Sequence, residues 1–404
     1  AKSFGLSNKE LQVSNTDSTK FLIGSITKPF TAMAILILEE EGKLKLSNKL
    51  SEYFPSFQSS EIITIEQLIT HTSGISDYKI FSDWKDDSNS DKTTPKFTVS
   101  KMSNEPLLFE PGTKFRYSNV GYILLGLIIE KISNHSFEQF IQDEILQPLD
   151  LKNTGIINNK KIVPNLANGY STNPKVSTKA EYINYNQPFS SGNMYSTTND
   201  LREFTKAVWA GKLVSTEKTR QIFSNGEYYG YGWGIRDCQD AKAYGHYGGM
   251  NGFVGSITYI PKGDYFICFL TNDDNTPKIR ITNDLISIIQ GEDIPLPDKT
   301  QFITVPIDTK QKIIGNYILN NTDTLKVFEQ DEKLYLQENG QVKHEMYAYD
   351  SYKYSFSLLE FNVVFGDMKN GKTQILKFVG KETILTATRV KLQDQVFDRK
   401  LDKE

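Results

Sequence analysis

The order of apolar and polar positions predicts several helices in the first third of the chain. Residues 30–40 are largely apolar, which is typical of a helix buried in a large core, and Gly42 is placed to cap its C-terminal end. The sequence Thr64-Ile65-Glu66-Gln67 has the form of a capping box and predicts the start of a second helix. Residues 119–131 repeat apolar side chains at helical spacing, with Asn119 as the expected N-cap.

Alternating apolar residues predict strands farther along the chain. Residues 253–259 and 265–270 alternate on either side of the turn sequence Pro261-Lys262-Gly263-Asp264, which predicts a β-hairpin. Residues 81–101 are mostly polar and predict a surface excursion. Because helices are inserted between N-terminal and C-terminal strands, we predict an α+β fold, an antiparallel sheet flanked by helices plus an all-helical lobe.

The composition changes at residues 291–298, which we interpret as a linker between a first domain, residues 1–290, and a second, residues 299–404. The second domain contains many short β-rich segments, some of them separated by the turn dipeptides Asn339-Gly340 and Asn370-Gly371. Short strands in such number predict a small barrel or sandwich. The predicted strands are residues 317–319, 324–328, 333–337, 361–365, 375–379 and 384–389.

Composition narrows the class of protein. The 404 residues carry a net charge of -3 and are 38% hydrophobic, as expected of a globular chain long enough for one large and one smaller domain. The charge balance is not basic, so nothing indicates a nucleic-acid partner. The longest apolar runs, such as residues 34–38 and 122–129, are far shorter than the ~20 residues that cross a bilayer.

The two cysteines, Cys238 and Cys268, allow at most one disulfide, and we interpret them as free thiols. Neither has the spacing of a metal ligand, and no cluster of His, Asp or Glu in the sequence indicates a metal site. The sequence therefore predicts chemistry that uses neither a metal nor a cofactor.

The segment Ser25-Ile26-Thr27-Lys28 is the strongest candidate for chemistry. A lysine three residues after a serine lies on the same helix face and can hydrogen-bond it. Pro29 is tolerated only near a helix start, so the helix must begin close to Ser25, with the hydroxyl at the positive end of the helix dipole. A serine becomes a strong nucleophile only when a base takes its proton, and Lys28 is the candidate base. The alternative for Ser25 is an ordinary N-cap.

A second candidate pair follows the sequence Pro111-Gly112-Thr113. Tyr117 and Asn119 are two residues apart, so in an extended stretch their side chains project from the same side. The alternatives are a core aromatic residue for Tyr117 and a helix cap for Asn119.

A third candidate segment begins at His246 and is rich in glycine. Gly248 and Gly249 follow the histidine, which indicates a strand edge where a ligand approaches the backbone closely. The alternative for both glycines is a flexible turn.

Taken together and in this order, the three motifs resemble the serine penicillin-recognising hydrolases, and among them the class C β-lactamase-like group of D-alanyl-D-alanine carboxypeptidases, D-amino-acid peptidases and esterases. The resemblance spans most of residues 1 to about 290. It implies a β-lactamase/transpeptidase-like fold and, because family members usually carry a further apolar strand, a segment ahead of Ala1. Residues 315–317 and 388–390 resemble the ends of a lipocalin-like tail domain. The matching segments are residues 21–30, 68–75, 111–121, 191–197 and 245–253.

The resemblance implies an acyl-enzyme mechanism and a role for each motif residue. Ser25 would be the nucleophile and Lys28 its base. Tyr117 would pass protons between nucleophile and leaving group, with the nearby lysine favouring its phenolate form. Asn119 would hydrogen-bond the lysine and the substrate amide. The N–H groups of Ser25 and Gly249 would form the oxyanion hole.

His246 stands where β-lactamases and most penicillin-binding proteins have a lysine. That lysine supplies a permanent cation for a substrate carboxylate, whereas a histidine with a pKa near ~6.5 is largely neutral at pH 7 and keeps only a hydrogen-bond donor. The departure favours the esterase and D-peptidase branches over the true β-lactamases.

Three other positions have weaker interpretations. Ser118 is a candidate proton relay, and Gly248 is a candidate for substrate contact. His71 invites a triad with Ser25, but its surroundings match a structural element of the family, and we interpret it as a buried, hydrogen-bonded histidine.

These expectations describe a metal-free serine hydrolase that acts on a small-molecule ester or a D-amino-acid peptide. The alternatives are a weak class C-type β-lactamase, for which a β-lactam is the substrate, and a penicillin-binding sensor or scaffold with slow or no turnover. The resemblance also implies a bacterial protein that acts outside the cytoplasm, in the periplasm or secreted.

Overall fold

The computed structural model of the protein describes residues 1–78, 93–172, 176–224, 226–239, 241–294, 302–319, 323–339, 343–356, 362–379 and 384–390. The chain divides into two compact units. The first comprises Ala1–Thr172 and Ser177–Asp274, and the second comprises Asn173–Val176 and Asn275–Glu404. Within the described ranges, no helix combines the length and the apolar character needed to cross a membrane.

The first unit is built around helix α1 (Thr27–Glu40), which follows a 3-10 turn, Gly24–Ile26. Residues 27–38 are all buried, which confirms the predicted core helix. The helix ends where Gly42 adopts a left-handed backbone, with φ of +72°, and donates its N–H to the carbonyl of Glu39, so the predicted glycine cap is also confirmed.

A helical lobe packs around α1. The Thr64 hydroxyl accepts the N–H of Gln67, and the Thr64 backbone N–H donates to the side-chain oxygen of Gln67, which confirms the predicted capping box. The helix Asn119–Ser133 has Ser118 as its N-cap, and the Ser118 hydroxyl accepts the backbone N–H of Gly121. The prediction of Asn119 as the cap was therefore wrong by one residue. The helices are α2 (Ile65–Ile69), α3 (Pro95–Met102), α4 (Asn119–Ser133), α5 (Phe137–Ile141), α6 (Thr198–Trp209) and α7 (Thr216–Ser224), with short 3-10 turns at Leu50–Glu52 and Phe189–Ser191 and a π turn at Gln142–Leu146.

The polar segment 81–101 is only partly a surface excursion. Residues 81–92 lie outside the described residues. From Pro95 the chain forms α3, and Thr98, Val99 and Met102 on this helix are buried. The prediction was wrong for this part because one buried face is enough to dock a helix whose composition is otherwise polar.

Antiparallel sheets complete the first unit. The central sheet has the order β11-β10-β9-β8, and its β10-β11 pair confirms the predicted hairpin. Smaller sheets pair β1 with β2, β5 with β6, and β3-β7-β4. The strands are β1 (Leu6–Asn8), β2 (Val13–Ser14), β3 (Phe21–Leu22), β4 (Gly155–Ile156), β5 (Tyr170–Thr172), β6 (Ser177–Lys179), β7 (Met194–Ser196), β8 (Gly234–Cys238), β9 (Ala241–Met250), β10 (Phe253–Ile260) and β11 (Tyr265–Thr271).

Strand β9 packs directly against the 3-10 turn that precedes α1. A Cβ atom placed on Gly248 would lie 2.0 Å from the carbonyl oxygen of Ile23, and one on Gly24 would lie 2.5 Å from the carbonyl oxygen of Gly249. The interpretation of Gly248 and Gly249 as a flexible turn was therefore wrong, because both lie within a strand and allow two backbones to touch.

His71 connects the end of α2 to the start of α4. Its Nδ1 accepts the N–H of Ser118 at 3.2 Å, and its carbonyl oxygen accepts the N–H of Arg116 at 2.9 Å. The side chain is buried, as predicted, but among the described residues no hydrogen-bond partner reaches Nε2. Burial is the main reason that the pKa of His71 lies well below its ordinary value.

The second unit contains helices α8 (Lys278–Ile289) and α9 (Ile307–Ile313) and a closed antiparallel barrel, which confirms the predicted small β-barrel. Buried apolar side chains that alternate along its strands fill its interior. Asn370 and Gly371 have φ of +52° and +69°, as a two-residue turn between strands requires. The barrel strands are β12 (Gly315–Leu319), β13 (Asp323–Gln330), β14 (Lys333–Glu338), β15 (Lys343–Asp350), β16 (Lys353–Phe356), β17 (Asn362–Lys369), β18 (Lys372–Val379) and β19 (Ile384–Val390).

The first and last barrel strands, β12 and β19, pair antiparallel, and Tyr317 and Arg389 lie opposite each other in this pairing. The guanidinium of Arg389 lies 4.8 Å from the ring centre of Tyr317 and donates to its hydroxyl at 2.7 Å. It also donates to the carbonyl oxygens of Lys312 and Ile314, at 2.8 and 2.9 Å. The two segments that resemble a lipocalin-like tail thus lie side by side where the barrel closes, and this side-chain contact adds to their backbone pairing.

The close packing of β9 predicts that Gly248→Ala is destabilising. The added methyl group would overlap the carbonyl of Ile23, so either β9 or the turn must shift, and overpacking of this kind typically costs ~1–3 kcal/mol. Denaturant unfolding measures the effect. Gly366→Ala in β17 is the matched control, since its Cβ would meet nothing within 4 Å, and equal losses for both variants would contradict the packing argument.

The burial of His71 predicts that the first unit loses stability in mild acid. In the unfolded chain the His71 side chain becomes protonated below about pH 6.5, whereas in the folded protein it becomes protonated only at a lower pH. The contribution of His71 to the free energy of unfolding is complete above about pH 6.5 and declines below it by at most ~1.4 kcal/mol per pH unit.

The variant His71→Gln tests this directly, because its amide oxygen can still accept the N–H of Ser118 but cannot titrate. Denaturant unfolding at pH 7.5 and 5.5 should show a smaller acid loss for His71→Gln than for the unmodified protein. The exposed His135→Gln is the control and should follow the unmodified protein. An unchanged pH dependence in His71→Gln would show that other groups cause the acid loss.

Candidate active site

Ser25 lies in the 3-10 turn Gly24–Ile26, at the N-terminal end of α1. Its side chain is partly exposed. Neither the turn nor α1 has a side-chain cap hydrogen bond, and their N-caps are Ile23 and Ile26, so the alternative interpretation of Ser25 as an N-cap was wrong. Its hydroxyl therefore does not serve to start the helix.

Lys28 is fully buried one turn into the helix, directly below the serine. Its Nζ lies 3.1 Å from Ser25 Oγ, 2.8 Å from Asn119 Oδ1 and 2.8 Å from the carbonyl oxygen of Ser191. The interpretation of this residue as a chemically relevant lysine is consistent with this burial, because a solvated surface lysine would not be enclosed by three protein oxygens. The carbonyl of Ser191 had no role in the sequence prediction, although its segment was among those that resemble the family.

Tyr117 lies beside both residues. Lys28 Nζ is 4.8 Å from the centre of the tyrosine ring, and the hydroxyl is hydrogen-bonded to Ser25. Loss of water around the hydroxyl is the main reason that the pKa of Tyr117 is raised, with the charge of Asp77 adding to it and the bond to Ser25 opposing it. The expectation that Lys28 favours the phenolate was therefore wrong, because desolvation dominates and the resting side chain is a neutral phenol.

Asn119 is the first residue of α4 and is buried. Its amide oxygen accepts from Lys28, and its Nδ2 donates to Asp77 Oδ2 at 2.8 Å. Asp77 was not among the sequence candidates. The hydroxyl of Ser118 donates to the carbonyl of Ser76 at 3.3 Å and caps α4, and these contacts favour a structural role over the relay role considered from the sequence.

His246 lies in β9 and is buried, with its ring centre 6.2 Å from that of Tyr117. Its Nδ1 is 2.7 Å from the carbonyl oxygen of Tyr247, which can only accept, so Nδ1 carries a proton. Its Nε2 is 2.9 Å from the hydroxyl of Tyr229. Both ring nitrogens thus have protein partners, a feature that the sequence could not reveal because Tyr229 is seventeen residues away.

Gly249 lies at the exposed edge of β9, and its backbone touches Gly24, the residue before Ser25. The structure therefore brings this predicted oxyanion position next to the predicted nucleophile. Gly248 faces Ile23, and its absent side chain serves this packing.

The aromatic side chains behind the site form one cluster around His71. The ring of His71 lies 4.3 Å from that of Tyr117, 5.0 Å from that of Tyr122 and 4.7 Å from that of Tyr229. The hydroxyl of Tyr122 donates to the carbonyl of Ile69 at 2.8 Å. His71 is therefore part of the wall that excludes water from Tyr117.

Both cysteines are free thiols, which confirms that prediction, and burial raises the pKa of Cys268. Within the described residues, no group of three or more His, Cys, Asp or Glu side chains is placed to hold a metal ion.

Comparison with known proteins agrees with this geometry. The family model described as Beta-lactamase matches residues 1–289. Penicillin-binding protein 4* of Bacillus subtilis is 29% identical over 380 residues, covering 85% of this chain and 82% of that protein. Teichoic acid D-alanine hydrolase of Staphylococcus aureus is 27% identical over 299 residues, covering 71% of each.

Solved structures show the same similarity. The crystal structure of a penicillin-binding protein from Bacillus halodurans superposes with a TM-score of 0.64 at 25% identity, covering 72% of this chain and 90% of that one. Because the family model spans well over half of the chain and the site carries the serine and lysine at the start of the buried helix, the chain belongs to the beta-lactamase family and is a serine hydrolase.

Proposed function

We propose that Ser25 is the nucleophile of an acyl-transfer reaction and that Lys28 is its general base. The observation that supports this most strongly is the environment of Lys28 Nζ. Two of its three partners, Asn119 Oδ1 and Ser191 O, can only accept hydrogen bonds, whereas the third, Ser25 Oγ, can accept or donate. A neutral Lys28 amine gives its two protons to the two carbonyl oxygens, and its lone pair then faces the Ser25 hydroxyl.

The proton path follows from these contacts. Lys28 takes the hydroxyl proton as Ser25 Oγ attacks the substrate carbonyl carbon and the C–O bond forms. Tyr117, a neutral phenol hydrogen-bonded to Ser25, gives its own proton to the leaving group and is reprotonated from the Lys28 ammonium. Water then attacks the acyl-enzyme along the same path in reverse and restores the Ser25 hydroxyl.

The tetrahedral anion needs hydrogen-bond donors at the point where charge develops. The N–H groups of Ser25 and Gly249 are the proposed donors, supported by the contact between Gly24 and the Gly249 backbone. Losing one such donor typically costs ~10²–10³ in rate. The tight packing at Gly248 fixes where the Gly249 amide stands.

The proposed substrates are D-alanyl esters and D-amino-acid amides rather than β-lactams. One relative is named teichoic acid D-alanine hydrolase, and this name supports a D-alanyl acyl group in the substrate. His246 supports a leaving group without a carboxylate, because its two nitrogens are bonded to Tyr247 and Tyr229 and it supplies no fixed cation such as a lysine would. Substrates of this kind imply that the enzyme acts outside the cytoplasm.

The two alternative functions are a weak β-lactamase and a penicillin-binding sensor or scaffold with slow or no turnover. All four of Ser25, Lys28, Tyr117 and Asn119 are present and in contact, which supports turnover. Repeated turnover of a D-alanyl ester, with slower reaction of a penicillin, is expected. A single stoichiometric burst with every substrate would identify a sensor instead.

Ser25→Ala should abolish covalent labelling by a serine-directed fluorophosphonate. The protein should still fold, because the hydroxyl makes no helix-cap hydrogen bond and Lys28 keeps its two carbonyl acceptors, Asn119 Oδ1 and Ser191 O. Intact-protein mass spectrometry after labelling gives the readout. Ser18→Ala, at an exposed serine, is the matched control and should label like the unmodified protein. Labelling of Ser25→Ala at another residue would overturn the assignment.

Tyr117→Phe should lower kcat by about 10²–10⁴-fold, because it removes the proton donor while the ring contact with His71 remains. Tyr122→Phe removes a buried hydroxyl from the same cluster, one that donates to the backbone carbonyl of Ile69 and is hydrogen-bonded to Tyr229. This variant should lose ~1 kcal/mol of stability with kcat nearly unchanged. Steady-state hydrolysis of a D-alanyl alkyl ester, whose alkoxide leaving group needs a proton, and denaturant unfolding separate the two effects. Equal losses of kcat in both variants would mean that Tyr117 acts only through packing.

A further inference from the structure

The carboxylate of Asp77 is bonded to the amide that holds Lys28. Asp77 Oδ2 accepts from Asn119 Nδ2 at 2.8 Å, and Oδ1 accepts the N–H of Tyr78 at 2.9 Å. At the other end of the same amide, Asn119 Oδ1 accepts from Lys28 Nζ at 2.8 Å. A continuous chain of hydrogen bonds therefore runs from Asp77 through Asn119 and Lys28 to Ser25.

The orientation of the Asn119 amide decides whether this chain can exist. The oxygen and nitrogen ends of an amide have nearly the same size and shape, so packing alone discriminates poorly between the two orientations. If the amide turned over, its NH₂ group would face Lys28 Nζ, and a donor would oppose a donor. Lys28 would then lose one of the two oxygens that can only accept from it.

We propose that Asp77 is a positioning residue for the hydrolytic reaction. It accepts from the nitrogen end of the Asn119 amide, so the oxygen end is directed at Lys28 and the Lys28 lone pair is directed at Ser25. This inference rests on the proposed roles of Lys28 and Ser25, and it adds a residue from the loop after α2 to the machinery. The second Nδ2 proton of Asn119 stays available for a substrate carbonyl.

A carboxylate suits this position better than an amide would. Two donors, the N–H of Tyr78 and Nδ2 of Asn119, converge on Asp77, and both carboxylate oxygens accept. An asparagine has one accepting oxygen, so one of the two donors would face an NH₂ group. Asp77→Asn, which is usually a mild change, should therefore impair the reaction almost as much as Asp77→Ala.

A double-mutant cycle with Asn119 tests the proposal. The variants are Asp77→Ala, Asn119→Ala and the double variant, with Asp77→Asn as a second single change that preserves side-chain volume. Hydrolysis of p-nitrophenyl acetate gives kcat and KM, and fluorophosphonate titration gives the fraction of functional sites, so that kcat refers to correctly folded enzyme. Asp143→Ala is the matched control, since Asp143 also accepts from a side-chain amide, that of Gln139, at an exposed position.

Each Asp77 variant should lower kcat per titrated site by about 10- to 100-fold, the loss expected for one charge-assisted hydrogen bond, with a small change in KM. Because Asp77 acts through Asn119, the double variant should be no slower than Asn119→Ala, within about twofold. Asp143→Ala should match the unmodified protein.

Two results would overturn the inference. In the first, Asp77→Ala slows the reaction by the same factor with and without the Asn119 side chain. In the second, Asp77→Ala and Asp77→Asn reduce only the number of titrated sites, which would mean that the carboxylate merely supports folding. If Asn119→Ala itself leaves kcat unchanged, the proposed role of Asn119 fails, and the inference fails with it.

Discussion

The burial of one lysine is the constraint on which the rest of the site depends. Lys28 is enclosed completely, and a buried amine or ammonium group is costly unless each of its hydrogens finds an acceptor. Its hydrogen-bond partners are Ser25, in the adjacent 3-10 turn, and two carbonyl oxygens from distant parts of the chain, at the start of α4 and in the turn Phe189–Ser191. The start of α4 and the turn Phe189–Ser191 must therefore be in place before this lysine is satisfied, which ties the geometry of the candidate site to the fold.

The second constraint is the absence of side chains where β9 meets the turn that carries Ser25. Any Cβ at Gly24 or Gly248 would push the two backbones apart, and the Gly249 amide would move with β9. Tyr117 is fixed from the other side by the aromatic wall around His71, which also excludes water and keeps the phenol protonated. The same dehydration thus sets the acid–base state of the tyrosine and lowers the stability of the fold in acid.

The local parts of this arrangement follow from the sequence, and the long-range parts do not. The spacing of Ser25 and Lys28 places them on one helix face regardless of the rest of the molecule. The partners Ser191 and Asp77 are contributed by loops, where no periodic pattern marks the residue that will face the site. The expected phenolate of Tyr117 was wrong because neighbouring charge is visible in a sequence, whereas burial depends on packing.

The barrel shows the same division. Six of its strands carry enough alternating apolar residues to be predicted, and the turn at Asn370 follows from its dipeptide. Strands β15 and β16 were missed: β15 buries only Met346 and Ala348 among polar and partly exposed side chains, and β16 has four residues. The pairing of β12 with β19, where Tyr317 contacts Arg389, joins residues that are far apart in the sequence of the unit, and only the resemblance to a tail domain pointed to them.

The central claim is that the enzyme forms and hydrolyses an acyl intermediate at Ser25. Its most direct test is rapid acid quenching during steady turnover of a D-alanyl ester, followed by proteolysis and mass spectrometry of the peptides. One D-alanyl adduct is expected, on the peptide that contains Ser25, and it should form in the first turnover and disappear when the substrate is exhausted. Turnover without an adduct, or an adduct on any other residue, would contradict this claim.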